Sequence, residues 1–261
     1  MAKVKQRGKY DYNFDVMADK FEKSIYGTIK GEWRLRLLQE DLESIYESKT
    51  KLDIWDAGCG MGQIALWFAS KGHTLTCNDI SYNMLQKAKE AFETKKLQAT
   101  FYKAPAQEVA SMIKSKDLVI FHAVIEWLAN PLEGLEAVSS KVKDGGYLSI
   151  LFFNQHSIVF RNTLRGGWRL QTILEDSWYG KGKKLTPPHP QKPSTIINWL
   201  KDHGYEIVAH TGIRVFHDYM SDEALNQSDI DDILAIEYKY CREDVYKDMA
   251  RYVHILARKL V

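Results

Sequence analysis

The chain has 261 residues, and its hydrophobic fraction of 45% supplies a sizeable core and excludes a largely disordered protein. The formal net charge of +2 neither requires nor excludes a nucleic-acid partner, while three widely spaced cysteines favour neither a disulfide framework nor a zinc site and suit a reducing cytoplasm. No apolar run reaches the roughly 18 residues of a membrane-spanning helix, and the basic N-terminal segment lacks the apolar stretch of a signal peptide. We therefore expect a cytoplasmic protein without a membrane or metal partner.

The patterning predicts alternating strands and helices after a helical start. Residues 14–25 and 31–48 are predicted to form two helices, because their apolar residues recur at helical spacing. Strands are then expected at 51–57, 73–80, 99–104, 116–124 and 147–154, and helices at 62–72, 83–96, 106–115 and 131–146. This alternation predicts an α/β fold with a Rossmann-like, doubly wound and mostly parallel sheet.

The pattern breaks after the fifth strand. Residues 154–193 are rich in arginine, lysine and proline and show little periodicity, which indicates an insertion over the sheet. Two further strands, at 205–213 and 252–260, bring the expected sheet to seven strands, with helices at 194–204 and 229–241. We interpret 1–261 as one domain with a core of about 50–153 and 194–261, an N-terminal helical part at 11–48 and an insertion at about 154–193.

A glycine loop, "DAGCGMG", follows the first predicted strand. Gly58, Gly60 and Gly62 permit positive φ and close approach of a ligand to the backbone. The spacing differs from the dinucleotide motif, and no Lys-Ser/Thr pair follows, which excludes a P-loop. Asp56 would repel a pyrophosphate and suits a cationic ligand, such as S-adenosylmethionine with its ammonium and sulfonium groups. The alternative is that Asp56 only caps the helix or orders the loop.

Other strand ends supply further candidates for the same ligand. Asp79 closes the second strand and is positioned to bind ribose hydroxyls, in a placement that NAD and S-adenosylmethionine folds share. Ala106 and Gln107 follow the third strand, where an adenine edge would rest, and His122 ends the fourth. A helix cap, an exposed helical residue and a core histidine are the alternatives for Asp79, Gln107 and His122.

These stretches together resemble known methyltransferases. "DAGCGMG", Asp79, "AQ" and "FHAVIEW" resemble class I S-adenosylmethionine-dependent methyltransferases. "FDVMADKFEKSIYGTIKGEWR", "LFFNQHS", "GIRVFHDYM" and "RYVHILARK" make the chain similar to the bacterial tRNA 5-carboxymethoxyuridine methyltransferase family, from about Phe14 to Lys259. The resemblance implies methyl transfer to the carboxylate of 5-carboxymethoxyuridine at the wobble position, forming the methyl ester, with the tRNA anticodon loop as partner.

The resemblance also implies a set of cofactor residues, to which the loop chemistry adds Asp56 and Gly60. The set implied by resemblance is Arg34, Gly58, Cys59, Asp79, Ala106, Gln107 and His122. A guanidinium at Arg34 suits the α-carboxylate of S-adenosylmethionine. This loop departs from the glycine-rich and acidic loop of the family at Cys59 and Met61. A backbone contact at position 59 survives that change, whereas a side-chain role at position 61 does not.

The acceptor carboxylate is ionised at pH 7, so no general base is assigned. Arg214, His217 and Tyr219 follow a predicted strand and are candidates to position the anion. Asn154 and His156, at the end of the fifth strand, are further candidates. The alternative for Arg214 is a structural ion pair with Asp218 or another acid.

The insertion supplies candidates for RNA binding, because cations interleaved with aromatic residues suit phosphates and unstacked bases. These candidates are Arg161, Arg165, Arg169, Lys181, Lys183 and Lys184. A solvated basic loop is the alternative. For the whole chain, a small-molecule carboxyl- or O-methyltransferase and a non-catalytic binding module on the same fold are the competing hypotheses. The tRNA isoacceptors and the oligomeric state are left open.

Overall fold

A computed structural model describes residues 10–15, 28–177 and 186–261. The predicted helix at 14–25 therefore lies almost wholly outside the described residues. The second predicted helix is present as α1 (Ile29–Tyr46), and the Thr28 hydroxyl caps it by accepting a hydrogen bond from the Gly31 N–H. One face of α1 is buried at helical spacing through Trp33, Leu37, Leu38, Leu42 and Ile45. This face packs α1 onto the sheet.

The sheet has seven strands, as the sequence predicts. The strands are β1 (Asp53–Ala57), β2 (Thr74–Asn78), β3 (Thr100–Tyr102), β4 (Lys116–His122), β5 (Val142–Phe153), β6 (Tyr205–Ile213) and β7 (Tyr252–Lys259). Their spatial order is β3-β2-β1-β4-β5-β7-β6. Strands β1 to β5 are parallel, while β7 lies antiparallel between β5 and β6. The order reverses beside β1, and ligands bind α/β sheets at such a switch point.

The helices lie on both sides of this sheet. Those after α1 are α2 (Gln63–Ser70), α3 (Tyr82–Thr94), α4 (Ala106–Met112), α5 (Pro131–Ser139), α6 (Gln155–Arg165), α7 (Trp168–Leu174), α8 (Pro193–Asp202), α9 (Asp222–Gln227), α10 (Ile230–Tyr240) and α11 (Tyr246–Met249). One apolar cluster joins α1 and α2 to the sheet through residues such as Leu42, Phe68 and Ile120. A second cluster, including Phe121, Val138 and Ile196, covers the opposite face. The chain is thus doubly wound, which confirms the predicted fold class.

The predicted helix at 131–146 is too long. Helix α5 ends at Ser139, and the chain has already entered β5 at Val142. The glycines at the predicted end of this helix instead form an irregularity in β5, where Gly145 has φ +74°. A Cβ on Gly146 would lie 2.9 Å from the carbonyl oxygen of Asp117, so this strand needs glycine there.

The insertion holds two helices, α6 and α7, where the sequence indicated little regular structure. Many of their apolar side chains face outward, with Leu164 59% and Trp168 55% exposed. Only Ser157, Ile158 and Thr172 of these two helices are buried, so the helices pack little apolar surface against the core. Among the residues that the structure describes, no helix is long and apolar enough to cross a membrane.

Candidate cofactor and acceptor sites

The glycine loop lies between β1 and α2 in the conformation that its sequence predicts. Gly58, Gly60 and Gly62 have φ values of +76°, +54° and +71°. A Cβ on Gly58 would lie 2.4 Å from Cγ2 of Val124, so a side chain there would also clash with the chain beyond β4. The Cys59 N–H donates to the carbonyl oxygen of Asn78 at 2.8 Å, which ties the loop to the end of β2. The backbone is therefore shaped for close approach of a ligand.

Asp56 is a buried carboxyl group beneath this loop, with only 4% of its surface exposed. Burial and the negative charge of Asp79 raise its pKa to about 7, although a hydrogen bond from the Ala65 N–H acts in the opposite direction. The contact with Ala65 shows that Asp56 also orders the first turn of α2, whose N-cap is Gly62. Two neighbouring acids in a poorly solvated loop favour a positively charged ligand.

Asp79 organises the same loop with both oxygens of its carboxyl group. Its Oδ2 accepts from the Gly60 N–H at 2.9 Å, and its Oδ1 accepts from the Ser81 N–H at 2.8 Å. Each carboxylate oxygen has a further lone pair, so these bonds leave acceptor capacity for ribose hydroxyls. The ribose role stays a prediction, and it is combined with a structural role in ordering the loop and the start of α3.

Ala106 and Gln107 form the first turn of α4, as predicted, but the Gln107 side chain turns toward α5. Its Nε2 lies 3.8 Å from the position of a Cβ added to Gly134. The Gln107 Oε1 is buried and has no hydrogen-bond partner in the described part of the chain. An adenine contact at this turn stays a prediction.

His122 ends β4 and is half-buried, with Nε2 2.7 Å from the Ser149 hydroxyl oxygen. Burial holds its pKa well below the ordinary value, and the positive charge of Arg34 acts in the same direction. Arg34 also acts on Glu126, whose pKa burial raises to about 8. Arg34, His122 and Glu126 therefore lie in one neighbourhood at the end of the sheet.

Glu126 is a site residue to which the sequence gave no role. Its Oε1 accepts from the Phe153 N–H at 3.2 Å. Its Oε2 is buried and has no hydrogen-bond partner among residues 10–15, 28–177 and 186–261. A buried carboxyl oxygen of this kind is suited to a ligand that brings a hydrogen-bonding group.

Four cations act on Asp218 through a contact or through their charge, and we name them the cation cluster: Lys30, Arg161, Arg214 and Arg251. Asp218 Oδ2 lies 3.0 Å from Arg214 Nε, and Oδ1 lies 4.0 Å from Lys30 Nζ. Arg161 Nε donates to the Asp218 carbonyl oxygen at 3.1 Å. Burial raises the pKa of Asp218, but Arg214 and Arg251 outweigh it and the pKa is lowered.

The cation cluster has more positive charge than Asp218 can balance. Burial, together with the positive charges of Arg251 and Arg165, lowers the pKa of Arg161 to about 10. The pKa values of Lys30 and Arg251 are also lowered, with burial as the largest cause. Cations that are desolvated and close to one another are stabilised by an additional anion.

Lys30 and Arg251 were missed as site residues. Both occur in stretches that carry the resemblance, "IYGTIKG" and "RYVHILARK", but no local pattern marks either of them as an anion ligand. Lys30 and Arg34 are separated by four positions on α1, and this spacing places them on one face of the helix. That periodicity is the one signal from which Lys30 could have been found.

The three residues after β6 that were predicted to position the acceptor carboxylate differ in their contacts. Arg214 forms the ion pair with Asp218 that was the alternative interpretation, while remaining a member of the cation cluster. The His217 ring packs edge-on against Trp33 at 5.5 Å, and its buried Nδ1 has no hydrogen-bond partner among the described residues. The Tyr219 hydroxyl donates to the Met249 carbonyl oxygen, so its proton is already used within the fold.

Asn154, predicted as a ligand of the acceptor carboxylate, uses both N–H groups of its amide within the fold. Its Nδ2 donates to the carbonyl oxygens of Asp248 and Ala250 at 2.7 and 2.8 Å. Its Oδ1 caps α6 by accepting from the His156 N–H. The residue is completely buried and has no donor left for an acceptor carboxylate. The His156 Nδ1 lies 3.2 Å from the Asp248 carbonyl oxygen and donates to it, so only Nε2 is left for other contacts.

Tyr252 connects the cation cluster to the predicted cofactor residues. The guanidinium carbons of Arg34 and Arg214 lie 5.9 and 5.2 Å from the centroid of its ring. The two guanidinium groups are therefore no further apart than the sum of these distances. An anion bound at Arg34 and an anion bound at Arg214 could therefore be as close together as the two ends of one small molecule.

The predicted RNA residues fall into two groups. Arg161 is partly buried in the cation cluster, Arg165 is exposed at the end of α6, and the Arg169 guanidinium lies 4.8 Å from the centroid of the exposed Trp168 ring. Lys181, Lys183 and Lys184 lie outside the described residues. The described part of the insertion thus combines cations with an exposed aromatic ring.

The three cysteines are free thiols. Within the described ranges, no group of three or more His, Cys, Asp or Glu side chains is arranged to hold a metal ion.

Comparison with known proteins assigns the family. Residues 55–150 match the family described as "Methyltransferase domain". The chain is 37% identical over 254 residues to the tRNA 5-carboxymethoxyuridine methyltransferase of Escherichia coli (strain K12), covering 95% of this chain and 97% of the relative. It is 26% identical over 207 residues to the ubiquinone biosynthesis O-methyltransferase of Rickettsia canadensis (strain McKiel), covering 78% of this chain and 81% of that one.

The fold is shared with a solved methyltransferase. Magnesium protoporphyrin IX methyltransferase from Synechocystis PCC 6803 with bound SAM superposes with a TM-score of 0.57 and 15% identity, covering 94% of this chain and 93% of that one. The predicted S-adenosylmethionine-dependent methyltransferase is confirmed. With 37% identity along almost the whole length of both proteins, this chain belongs to the tRNA 5-carboxymethoxyuridine methyltransferase family.

Proposed function

We propose that this protein transfers a methyl group from S-adenosylmethionine to the carboxylate of 5-carboxymethoxyuridine at the wobble position of tRNA. The observation that carries this proposal is the cation cluster, whose Arg214 is linked through Tyr252 to Arg34. A methyltransferase with an anionic acceptor needs such an unbalanced positive site beside its cofactor. The family membership supports the same acceptor.

The residues of the crevice fit the proposed cofactor. Arg34 offers a guanidinium for its α-carboxylate, and the acidic pair Asp56 and Asp79 offers a negative environment for its cationic groups. Among the described residues, the buried Oε1 of Gln107 and the buried Oε2 of Glu126 have no hydrogen-bond partner, and a ligand with its own hydrogen-bonding groups is suited to both. When bound, S-adenosylmethionine supplies an electrophilic methyl group on a sulfonium.

The chemistry requires positioning more than proton transfer. A carboxylate oxygen attacks the methyl carbon, the carbon–sulfur bond breaks, and the products are the methyl ester and S-adenosylhomocysteine. No proton moves, so we assign no base to Glu126 or His122. Alignment of the two reactants in a preorganised site supplies on the order of 7–11 kcal/mol in well-oriented systems.

The cation cluster would bind the acceptor carboxylate without suppressing its nucleophilicity. A guanidinium bound directly to a carboxylate stabilises the anion and lowers its nucleophilicity. Asp218 already occupies Arg214 at 3.0 Å, which moderates the pull of Arg214 on a second carboxylate. Lys30 and Arg251 then provide the remaining charge for selecting an anionic base over an unmodified uridine.

The outer face of α6 and α7 would contact the anticodon loop. Phe160 packs edge-on against Tyr219 at 5.1 Å, which connects this face to the acceptor site. Trp168 is 55% exposed beside Arg169, an arrangement suited to stacking an unpaired base and contacting phosphate. A tRNA substrate also supports the predicted cytoplasmic location.

The proposal is tested by comparing tRNA with a small acceptor. Purified protein and S-adenosylmethionine are incubated with tRNA containing 5-carboxymethoxyuridine and, separately, with the free nucleoside. We expect a much higher kcat/KM for tRNA that falls steeply with salt, because phosphate contacts release counterions. Equal, salt-independent use of the nucleoside would instead indicate a small-molecule methyltransferase.

A further inference from the structure

A continuous chain of hydrogen-bonded side chains crosses the buried face of the sheet beneath α1. His122 Nε2 lies 2.7 Å from Ser149 Oγ, which lies 2.8 Å from His254 Nε2. His254 Nδ1 lies 2.7 Å from Asp41 Oδ2. Arg242 closes the far end by donating to Asp41 Oδ1 at 2.8 Å. We name His122, Ser149, His254 and Asp41 the relay.

Strand register brings the relay onto one face of the sheet. Ser149 on β5 lies opposite Ile120 on β4, and His122 lies two residues beyond Ile120. His254 on β7 lies opposite Leu151, two residues beyond Ser149. Because side chains alternate along a strand, these residues point to the same face of the sheet. The Asp41 side chain, on α1, contacts His254 on that face.

The relay lies in apolar surroundings. Ser149 and His254 are completely buried, and Ile120, Leu151 and Leu256 belong to the apolar cluster on the same face. Polar groups are costly in such a place unless each is hydrogen-bonded, and a satisfied network fixes its members in one orientation. The arrangement therefore fixes the orientation of His122, the half-buried relay residue at the end of β4.

The proton positions follow from the charged end. Burial raises the pKa of Asp41, but its bonds to His254 and Arg242 outweigh this and hold the pKa at about 2. An ionised Asp41 only accepts, so His254 carries a proton on Nδ1. A singly protonated His254 suits this place, because Arg242 already balances Asp41 and a second buried cation beside it would be costly.

The remaining links then have a fixed direction. A neutral His254 accepts at Nε2, and Ser149 is the donor. The Ser149 oxygen must accept from His122, which carries its proton on Nε2. His122 Nδ1 is left with a lone pair, and the described residues provide no hydrogen bond to it.

We propose that Asp41, Ser149 and His254 are positioning residues that hold His122 in the Nε2–H tautomer, so that its Nδ1 accepts a hydrogen bond from the ammonium group of S-adenosylmethionine. This inference rests on the proposed cofactor placement, in which Arg34 holds the α-carboxylate. The positive charge of Arg34 lowers the pKa of the His122 ring, and an amino acid held at Arg34 by its α-carboxylate carries its ammonium group on the adjacent carbon. His210 Nε2 and Asp248 Oδ1 also lie 3.1 Å apart, but these two residues are not part of the relay.

Asp41→Asn should reverse the whole relay. Arg242 donates to Oδ1, so it orients the new amide with its oxygen toward the guanidinium and its NH₂ toward His254. That NH₂ donates to His254 Nδ1, His254 then donates from Nε2 to Ser149, and Ser149 donates to His122. His122 would carry its proton on Nδ1 and present a donor to the ammonium group. An Asp→Asn change at a carboxylate–histidine pair is known to invert the tautomer in this way.

The test reads the tautomers directly. Nitrogen-15 NMR of labelled histidine in the unliganded protein should show Nε2–H at His122 in the wild type and Nδ1–H in Asp41→Asn. Calorimetry should show S-adenosylmethionine binding about ten-fold weaker in the variant, as expected when a hydrogen bond becomes a donor–donor contact. Asp53→Asn, a carboxylate paired with Lys116 on β4, is the matched control and should change neither readout.

Ser149→Ala provides a second test if Asp41→Asn does not fold. It should leave His122 as a mixture of tautomers and weaken cofactor binding. Ser139→Ala, which removes a buried hydroxyl bonded only to the Glu136 carbonyl oxygen of its own helix, is its control. The wild-type spectrum alone also decides the tautomer.

The outcomes separate this inference from the proposed function. An Nδ1–H tautomer at His122 in the wild type, or an unchanged tautomer in Asp41→Asn, overturns the relay even if the methyl ester forms. A reversed tautomer with unchanged cofactor affinity overturns the ammonium contact. A wild-type protein with the expected tautomers that forms no methyl ester on tRNA overturns the proposed function and leaves the relay intact.

Discussion

The carboxyl group of Asp56 should make cofactor binding dependent on pH, and Asp56→Asn should remove that dependence. Asp56 is 4% exposed, and burial together with Asp79 raises its pKa to about 7. A cationic ligand stabilises the ionised form and returns the pKa toward its ordinary range. S-adenosylmethionine must therefore displace a proton wherever Asp56 is protonated in the free protein.

The size of the effect follows from the pKa. S-adenosylmethionine binding should release about 0.9 proton from Asp56 at pH 6, about 0.5 at pH 7 and about 0.1 at pH 8. Because the ionised form binds, affinity approaches its full value at about pH 8 and is lost as the pH falls through about 7. The dissociation constant at pH 6 should be about ten-fold higher than its limiting value at high pH.

The assay is titration calorimetry in buffers that differ in ionisation enthalpy, from which the number of released protons is obtained. Asp56→Asn should bind more weakly, with little proton release attributable to this site. Asp53→Asn, at the other end of β1, should behave like the wild type. A wild-type protein that releases no protons at pH 6, or an Asp56→Asn variant that releases as many, would refute the reasoning.

Three further predictions concern the loop, the acceptor site and the RNA face. Gly58→Ala should lower the free energy of unfolding by about 1–3 kcal/mol, because the new methyl group clashes with Val124. Gly72→Ala is the control: Gly72 also has positive φ but has nothing within 4 Å, so this change should cost less. Equal losses of stability in denaturant titrations would contradict the clash. Arg214→Ala should lower kcat/KM for tRNA by about 10–100-fold while calorimetry finds cofactor affinity unchanged, and equal losses of both would indicate a structural role. Trp168→Ala should weaken tRNA binding by about 1–3 kcal/mol in filter-binding assays, and unchanged binding would remove it from the RNA face.

Local chemistry made the cofactor loop predictable from the sequence. The ligand class at "DAGCGMG" depends on residues within a few positions of one another, and the positive φ values of its glycines are a local property. The sheet was predictable because the period of apolar residues reports burial directly. The end of α5 was not, because a Gly-Gly pair stops a helix and permits a strand irregularity equally well.

The acceptor site depends on contacts between distant segments. Lys30, Arg161, Arg214 and Arg251 come from four separate parts of the chain, and only the packed fold brings them around Asp218. The relay likewise joins Asp41 to His254 across 213 positions. A single sequence provides no measure of such proximity.

Asn154 illustrates the opposite difficulty. A polar residue at the end of a central strand has the position expected of a ligand contact, and the sequence cannot distinguish it from a residue that caps the next helix. Its bonds to Asp248 and Ala250 are made by a segment that arrives almost 100 residues later.

The most direct test follows the methyl group itself. The protein is incubated with S-adenosylmethionine carrying an isotopically labelled methyl group and with tRNA in which 5-carboxymethoxyuridine is unesterified, and the nucleosides are analysed by mass spectrometry. We predict that the label appears on this nucleoside alone and is removed by mild alkaline hydrolysis, as an ester requires. Label that is stable to alkali, or that appears on another nucleoside, would contradict carboxyl methylation.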